Sequence, residues 1–289
     1  MMKKQRGIAL IQVIITTSII LLLTIFFLSV AKSQVARAAA LQAKSQAYLA
    51  QYSGKNRVLF GLLTKDIVQL RQQGWNFYGQ PFAINESTTV ALQDLNGLFS
   101  LITMTDGSVL ERLLGQSIDD RQATTIANSV MDWVDKDTVR RANGAEQSHY
   151  PAQITVRNAR IQTFTELLYI NGMTVEAEQV LMANTTFQPT PFFNPMTAPQ
   201  KVLAAYAQDK NKAAAVTALK RTTNFNRREV MVVSGLESDE SIEYIIGPGF
   251  RMTLTAQVED SYVGKMLEYQ IFPYDNAPVE MLSNIPKQR

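Results

Sequence analysis

The sequence predicts an α+β protein: a long N-terminal helix, its first part transmembrane, packed on an antiparallel sheet, with a large mainly helical domain inserted between the sheet's first and last strands. Three observations carry this reading. An uncharged apolar run at residues 8–30 continues, with no proline, into an amphipathic helical pattern. Alternation of apolar and polar residues appears early, at 75–102, and returns late, at 250–272. Helix-forming segments with recognisable caps lie between the two.

The apolar run IALIQVIITTSIILLLTIFFLSV has 23 residues and no charge. A helix of that length spans a hydrocarbon core roughly 30 Å thick. Its Thr and Ser hydroxyls can bond back to the helix's own carbonyls, which suits them to lipid. Lys3, Lys4 and Arg6 precede it, so the positive-inside rule places the N-terminus in the cytoplasm and the bulk outside it. A cleaved secretory signal is the competing reading. Its apolar region runs to about 7–15 residues, shorter than this one, although Ser29-Val30-Ala31 is a passable cleavage site. Residues 31–73 are rich in Ala, Gln, Leu and Lys, all good helix formers, with Gly54 and Gly61 the internal glycines before Gly74. Tyr48, Leu49, Val58, Leu59 and Leu63 recur at helical spacing.

Residues 75–102 read as extended, with a turn at Asp94-Leu95-Asn96-Gly97. A helical block follows at 110–114, and Asp119 or Asp120 caps a second helix whose apolar face is Ile126, Val130, Trp133 and Val134. The four prolines of 188–199 make a non-helical connector, and 202–217 reads as one Ala-rich helix. Strand patterns occupy 230–233, 250–259 and 263–272, with a turn at 260–264 between the last two.

Composition excludes several chemistries. The net charge of +3 resides in the three basic residues before the apolar run, leaving the remainder formally neutral and removing bulk-charge support for nucleic-acid binding. The chain has no cysteine and one histidine, His149, so disulfides, thiolate metal sites and multi-histidine metal sites within one chain are excluded, and any His-based triad would have to draw on His149 alone. Neither a Walker-type loop, nor G-x-S-x-G, nor H-E-x-x-H occurs. Asp135, Asp137 and Glu146 flank a turn at Gly144. Clustered carboxylate oxygens suit a hard cation, but the EF-hand register is missing, and Arg140 and Arg141 could simply pair with these acids. Residues 167–174 resemble a helix–hairpin–helix turn that in other proteins cradles phosphate; here Glu176 and Glu178 follow it and would repel an anion.

The motifs resemble one family. Lys3-Lys4-Gln5-Arg6-Gly7 followed at once by Ile8 resembles the leader of type IV pilins and pseudopilins. Asp132-Trp133-Val134-Asp135-Lys136-Asp137, Asn143-Gly144-Ala145-Glu146 and Tyr150 resemble the acidic signature of the general secretion pathway protein K family, the K-type minor pseudopilins of the type II secretion system. Asp94-Leu95-Asn96-Gly97-Leu98-Phe99, Thr165-Glu166-Leu167-Leu168 with Ile170-Asn171-Gly172-Met173-Thr174, and Phe193-Asn194-Pro195-Met196-Thr197-Ala198-Pro199 with Val202-Leu203 are similar to further segments of that family, in order. The resemblance implies a leader at 1–7 cut after Gly7 by a prepilin peptidase, with N-methylation of Ile8. It implies a transmembrane helix at 8–30, pilin-like helix and first strands at 31–107, an inserted helical domain at 108–217 and the last strands at 218–289. It further implies calcium held by the globular domain, for which Asp135, Asp137 and Glu146 are the candidate ligands, and assembly with I-type and J-type minor pseudopilins at the tip of a periplasmic filament anchored in the inner membrane. Gln12 stands at the fifth position after the cut, where most pilins carry glutamate, and the K-type family departs from glutamate there as well. A minor pilin of a type IV pilus and a membrane-anchored envelope enzyme are the other readings of the same features.

Overall fold

In the computed structural model, helix α1 (Ile8–Thr64) runs without a break, about 85 Å at 1.5 Å per residue. The structure describes residues 8–105, 107–222 and 225–285; Gly7 falls outside them. Among the described residues, α1 is the helix long and apolar enough to cross a membrane. The large apolar side chains at 10–28 are exposed, and the hydroxyls among them turn back onto the helix: Thr17 donates to the Val13 carbonyl at 2.9 Å and Thr24 to that of Ile20 at 2.8 Å. The second half of α1 buries one stripe, formed by Ala43, Ala47, Gln51, Val58 and Leu62. The helical pattern expected to reach Gly74 is interrupted earlier. Asp66 accepts the Gln69 amide at 2.7 Å and forms a capping box, which starts a new short helix, α2 (Ile67–Gln72).

The chain then forms β1 (Tyr78–Asn85), β2 (Thr88–Asp94) and a short β3 (Phe99–Ser100). Helices α3 (Ser108–Leu114), α4 (Asp120–Val134), α5 (Phe164–Leu167) and α6 (Val175–Asn184) follow, then β4 (Thr185–Thr186), which pairs with β3 in parallel. Helices α7 (Gln200–Ala207), α8 (Lys210–Leu219) and α9 (Arg227–Ser234) lead to β5 (Gly249–Val258), β6 (Ser261–Ile271) and β7 (Val279–Ile285). The main sheet is antiparallel, in the order β1-β2-β5-β6-β7. Strands separated by some 150 residues of sequence are therefore neighbours: Leu92 pairs with Met252 and Val90 with Leu254.

Strand alternation sorts the sheet's two faces. Val90, Leu92, Met252, Leu254, Leu267 and Tyr269 form an apolar cluster with Val58, Leu62 and Leu70 of the N-terminal helices. On the opposite face Arg251 and Glu268 are 4% and 1% exposed and pair at 2.7 Å. Arg251 also donates to the Met182 carbonyl at 2.8 Å and the Thr185 carbonyl at 2.6 Å, both in the insert. Glu268 accepts from Ser283 at 3.1 Å. A buried ion pair persists when its remaining hydrogen-bonding capacity is used in this way. The insert has its own core, with Leu110, Leu113, Ile126, Val130, Leu181 and Leu203 at its centre.

Four further local features differ from what the sequence led one to expect. The expected single helix at 202–217 is two, because Gln208 adopts φ 54° and Asp209 accepts the Asn211 and Lys212 amides to start α8. Residues 230–233, expected as a strand, lie in α9; Asn226 caps its start at 3.1 Å from the Glu229 amide, and Gly235 at φ 69° ends it. These caps outweigh the β-preference of a short valine run. The β5–β6 turn sits at 259–260, with Glu259 at φ 49°, and Gly264 is already paired with Thr255. Strand β7 extends the sheet beyond the strands expected from the sequence.

Sheet and insert meet at Asp94, which is fully buried. Its Oδ2 accepts from Thr197 Oγ1 at 2.8 Å and Asn194 Nδ2 at 3.0 Å; its Oδ1 accepts from the Asn96 amide at 3.1 Å and the Gly247 amide at 3.3 Å. Gly97 lies so close to the connector that a Cβ there would meet the Thr197 carbonyl carbon at 2.7 Å. Burial pushes the Asp94 carboxyl up to about 6, against the opposing effect of its hydrogen bonds. The unfolded carboxyl titrates near ~3.9. Between these values the folded state binds more protons than the unfolded, so this group makes stability fall as pH rises through the window and level off above about 6. Comparing the wild-type chain with Asp94→Asn by urea unfolding in detergent from about pH 4 to about pH 6.5, we expect the variant to lack a pH-dependent loss on the order of 2–3 kcal/mol. Identical slopes in the two proteins would assign the titration to another group.

Candidate functional site

The acidic loop begins where α4 ends. Asp119 caps that helix by accepting the Arg121 amide at 3.0 Å. The last turn then presents Asp132, with Asp135 at the C-cap. Asp135, Asp137 and Glu146 each place a carboxylate oxygen within 4.8 Å of the others, although their backbones arrive from opposite ends of the loop. Asp137 also braces the loop, accepting the Val139 amide at 2.8 Å. The chain turns back at Asn143, which has φ 62°. At Gly144 a Cβ would meet Asp132 Oδ2 at 2.1 Å, so no other residue fits unless Asp132 moves.

Asp132, which sequence reasoning did not select as a site residue, and Arg141, which it raised as a pairing partner, complete the cluster. Asp132 is fully buried and accepts from the Arg141 guanidinium at 2.8 Å and the Arg141 amide at 3.2 Å. The same guanidinium contacts Asp135 Oδ2. The pairing of acids with arginine raised from the sequence therefore holds for Arg141, whose pKa is raised by Asp135 and Asp132. It does not hold for Arg140, which donates to His149 Nε2 at 2.9 Å. The available signal was the spacing of Asp132 and Asp135, three apart on a helix and so on one side of it.

Arg141 leaves part of the cluster unanswered. Among the described residues, Asp135 Oδ1 and Glu146 Oε1 are buried with no hydrogen-bond partner. Glu146 is 5% exposed. Its pKa is raised, first by burial and then by the charges of Asp132, Asp135 and Asp137. The site thus offers inward-facing oxygen acceptors and excess negative charge.

The loop is held in place by the rest of its motif. Trp133 packs edge-on against Tyr150 with ring centres 5.4 Å apart, and its indole N–H donates to Glu166 at 2.9 Å. Glu166 also pairs with Arg157. The Tyr150 hydroxyl accepts the Asn171 amide at 3.1 Å. The helix–hairpin–helix-like turn is therefore a support for the acidic loop. At the other end of the molecule, Ile8 opens α1 and Gln12 lies exposed one turn further along.

Residues 91–190, which include the acidic loop and its supports, match the sequence model of type II secretion system (T2SS), protein K. No curated protein is similar enough to match the chain. In fold, the chain is similar to a chain in the crystal structure of the GspK-GspI-GspJ complex from enterotoxigenic Escherichia coli, with 15% sequence identity and a TM-score of 0.58 over 88% of this chain and 100% of that one. The sequence match thus runs through the acidic loop and its supports, and the likeness in fold extends along most of the chain.

Proposed function

We propose that the chain is a single-copy structural subunit at the tip of the type II secretion filament, assembled with I-type and J-type minor pseudopilins. The observation that carries this is the insert, docked across the sheet face opposite α1 and wedged there by Arg251, Glu268 and Asp94. That mass obstructs a further subunit stacking above it. Gln12 supports the same place: an uncharged side chain cannot neutralise the amine of a preceding subunit, and a tip subunit has none to meet. The apolar half of α1 anchors the chain in the inner membrane with the globular part periplasmic, as the basic residues before it direct. The role is mechanical, not catalytic; Asp94, Asp132, Glu166 and Glu268 are each committed to internal hydrogen bonds.

Two measurements test this. Mass spectrometry of protein from membranes should find the leader removed after Gly7 and a methylated Ile8 at the N-terminus; a start near Lys32 would mean that an ordinary signal peptidase acts on the chain. Cross-linked filament tips should contain one copy of this chain, whereas copies repeating along the shaft would defeat the tip assignment.

The acidic loop fits a calcium ion. Asp135, Asp137 and Glu146 would hold it, with the partnerless Asp135 Oδ1 and Glu146 Oε1 as acceptors already facing inward and Arg141 retaining Asp132 and Asp135 Oδ2. The ion would supply the positive charge that the cluster lacks and so stiffen the loop. At a free calcium concentration of 100 times Kd the expected gain is about 2.7 kcal/mol, read as a higher melting temperature. Asp137→Ala should abolish it. The gain should also shrink as pH falls through the raised Glu146 pKa, because the proton competes for the same oxygens. A melting temperature indifferent to calcium and chelator removes the loop as a metal site.

A further inference from the structure

A cleft of about 500 Å³ opens along the seam between sheet and insert. Gly79, Gln93 and Thr253 lie on its sheet side; Ala198, Lys220 and Arg221 lie on its insert side. Lys220 and Arg251 both line it, and both are buried, at 7% and 4% exposure. Their circumstances differ. Arg251 is neutralised by Glu268 and donates to two carbonyls. Lys220 donates to the Ala198 carbonyl and lies 5.7 Å from the centre of the Tyr78 ring. Among the described residues no carboxylate comes within 4.0 Å of its ammonium, nor of the neighbouring, exposed Arg221.

A buried ammonium without a counter-charge is unfavourable, and its three donors call for more than one acceptor. The backbone around Lys220 is itself fixed, since the Tyr78 hydroxyl donates to the Lys220 carbonyl at 3.0 Å. We infer that this cleft is a binding site for a small carboxylate ligand, seated between Lys220 and Arg221. The size suits a small molecule or a single acidic side chain, not a folded domain. The carboxylate supplies the charge that Lys220 lacks and accepts the donors that Ala198 leaves free. Because the cleft is walled by both sheet and insert, an occupant also ties the two together.

Burial pulls the Lys220 amine down to about 7. The other charged or titratable groups facing the cleft are Tyr78 from β1, Arg221 beside Lys220, and Arg251 from β5 with its partner Glu268 from β6. Carboxylate binding requires the ammonium form, so affinity falls as pH rises through this value.

The test is calorimetric titration of the full chain in detergent with succinate and, separately, with acetyl-Ala-Glu-Ala-amide. At least one should bind at about pH 6 and bind at least tenfold more weakly at about pH 8.5. Binding of the peptide alone identifies a protein-borne acid as the occupant; binding of succinate identifies a free carboxylate. Lys220→Met should remove binding. Lys220→Arg, which stays charged throughout, should retain it without the pH dependence. Arg221→Ala, at an exposed position that leaves the fold intact, should weaken it roughly fivefold. The inference is overturned if neither probe binds at about pH 6, if wild-type affinity is flat with pH, or if Lys220→Met and Arg221→Ala both bind like the wild type.

Discussion

A carboxylate taken out of water must have its oxygens answered by donors, and at Asp94 the donors come from three separate stretches of chain. Asn96 belongs to the turn that follows it, Asn194 and Thr197 to the proline-rich connector leaving the insert, and Gly247 to the approach to β5. The Asn194 amide also donates to the Asn96 carbonyl at 2.8 Å. One buried side chain thus holds the points where the chain leaves the sheet, returns from the insert and re-enters the sheet. The pairing thus meets the point where β5 comes back beside β2, to which its own ladder then holds it.

The Arg251–Glu268 pair repeats this logic on the sheet face opposite α1. Apolar contact alone tolerates some sliding of one layer over another, whereas hydrogen bonds to the Met182 and Thr185 carbonyls are satisfied at one docking angle. The two apolar clusters keep sheet and insert folded as layers; the polar seam between them sets how one sits on the other.

The acidic loop shows how one motif divides its labour. Asp132, Trp133 and Tyr150 build the frame, while Asp135, Asp137 and Glu146 face one another across it. Arg141 offsets part of the charge from within, so the loop closes even though its carboxylates repel. What it leaves, among the described residues, is two buried oxygens without partners, Asp135 Oδ1 and Glu146 Oε1.

The sequence by itself determined what depends on neighbours along the chain. Residues 8–30 announce, through length and lack of charge, a helix long and apolar enough to cross a membrane, Asp119 announces α4 through its cap, and the alternation at 250–259 announces β5. These signals are local because a helix turn, a cap and a pleat are each complete within a few residues. Where two local signals compete the reading erred, as at 230–233, where Asn226 and Gly235 close a helix around a valine run, and at Gln208, where a left-handed residue splits an Ala-rich helix. The meeting of Asp94 with Asn194 and Thr197, of Arg251 with Glu268, and the isolation of Lys220 inside the seam were decided only by tertiary structure. No periodicity encodes them: a buried polar group's partner is chosen by which surfaces the packed layers bring face to face, across as many as 153 residues of chain in the case of Asp94 and Gly247.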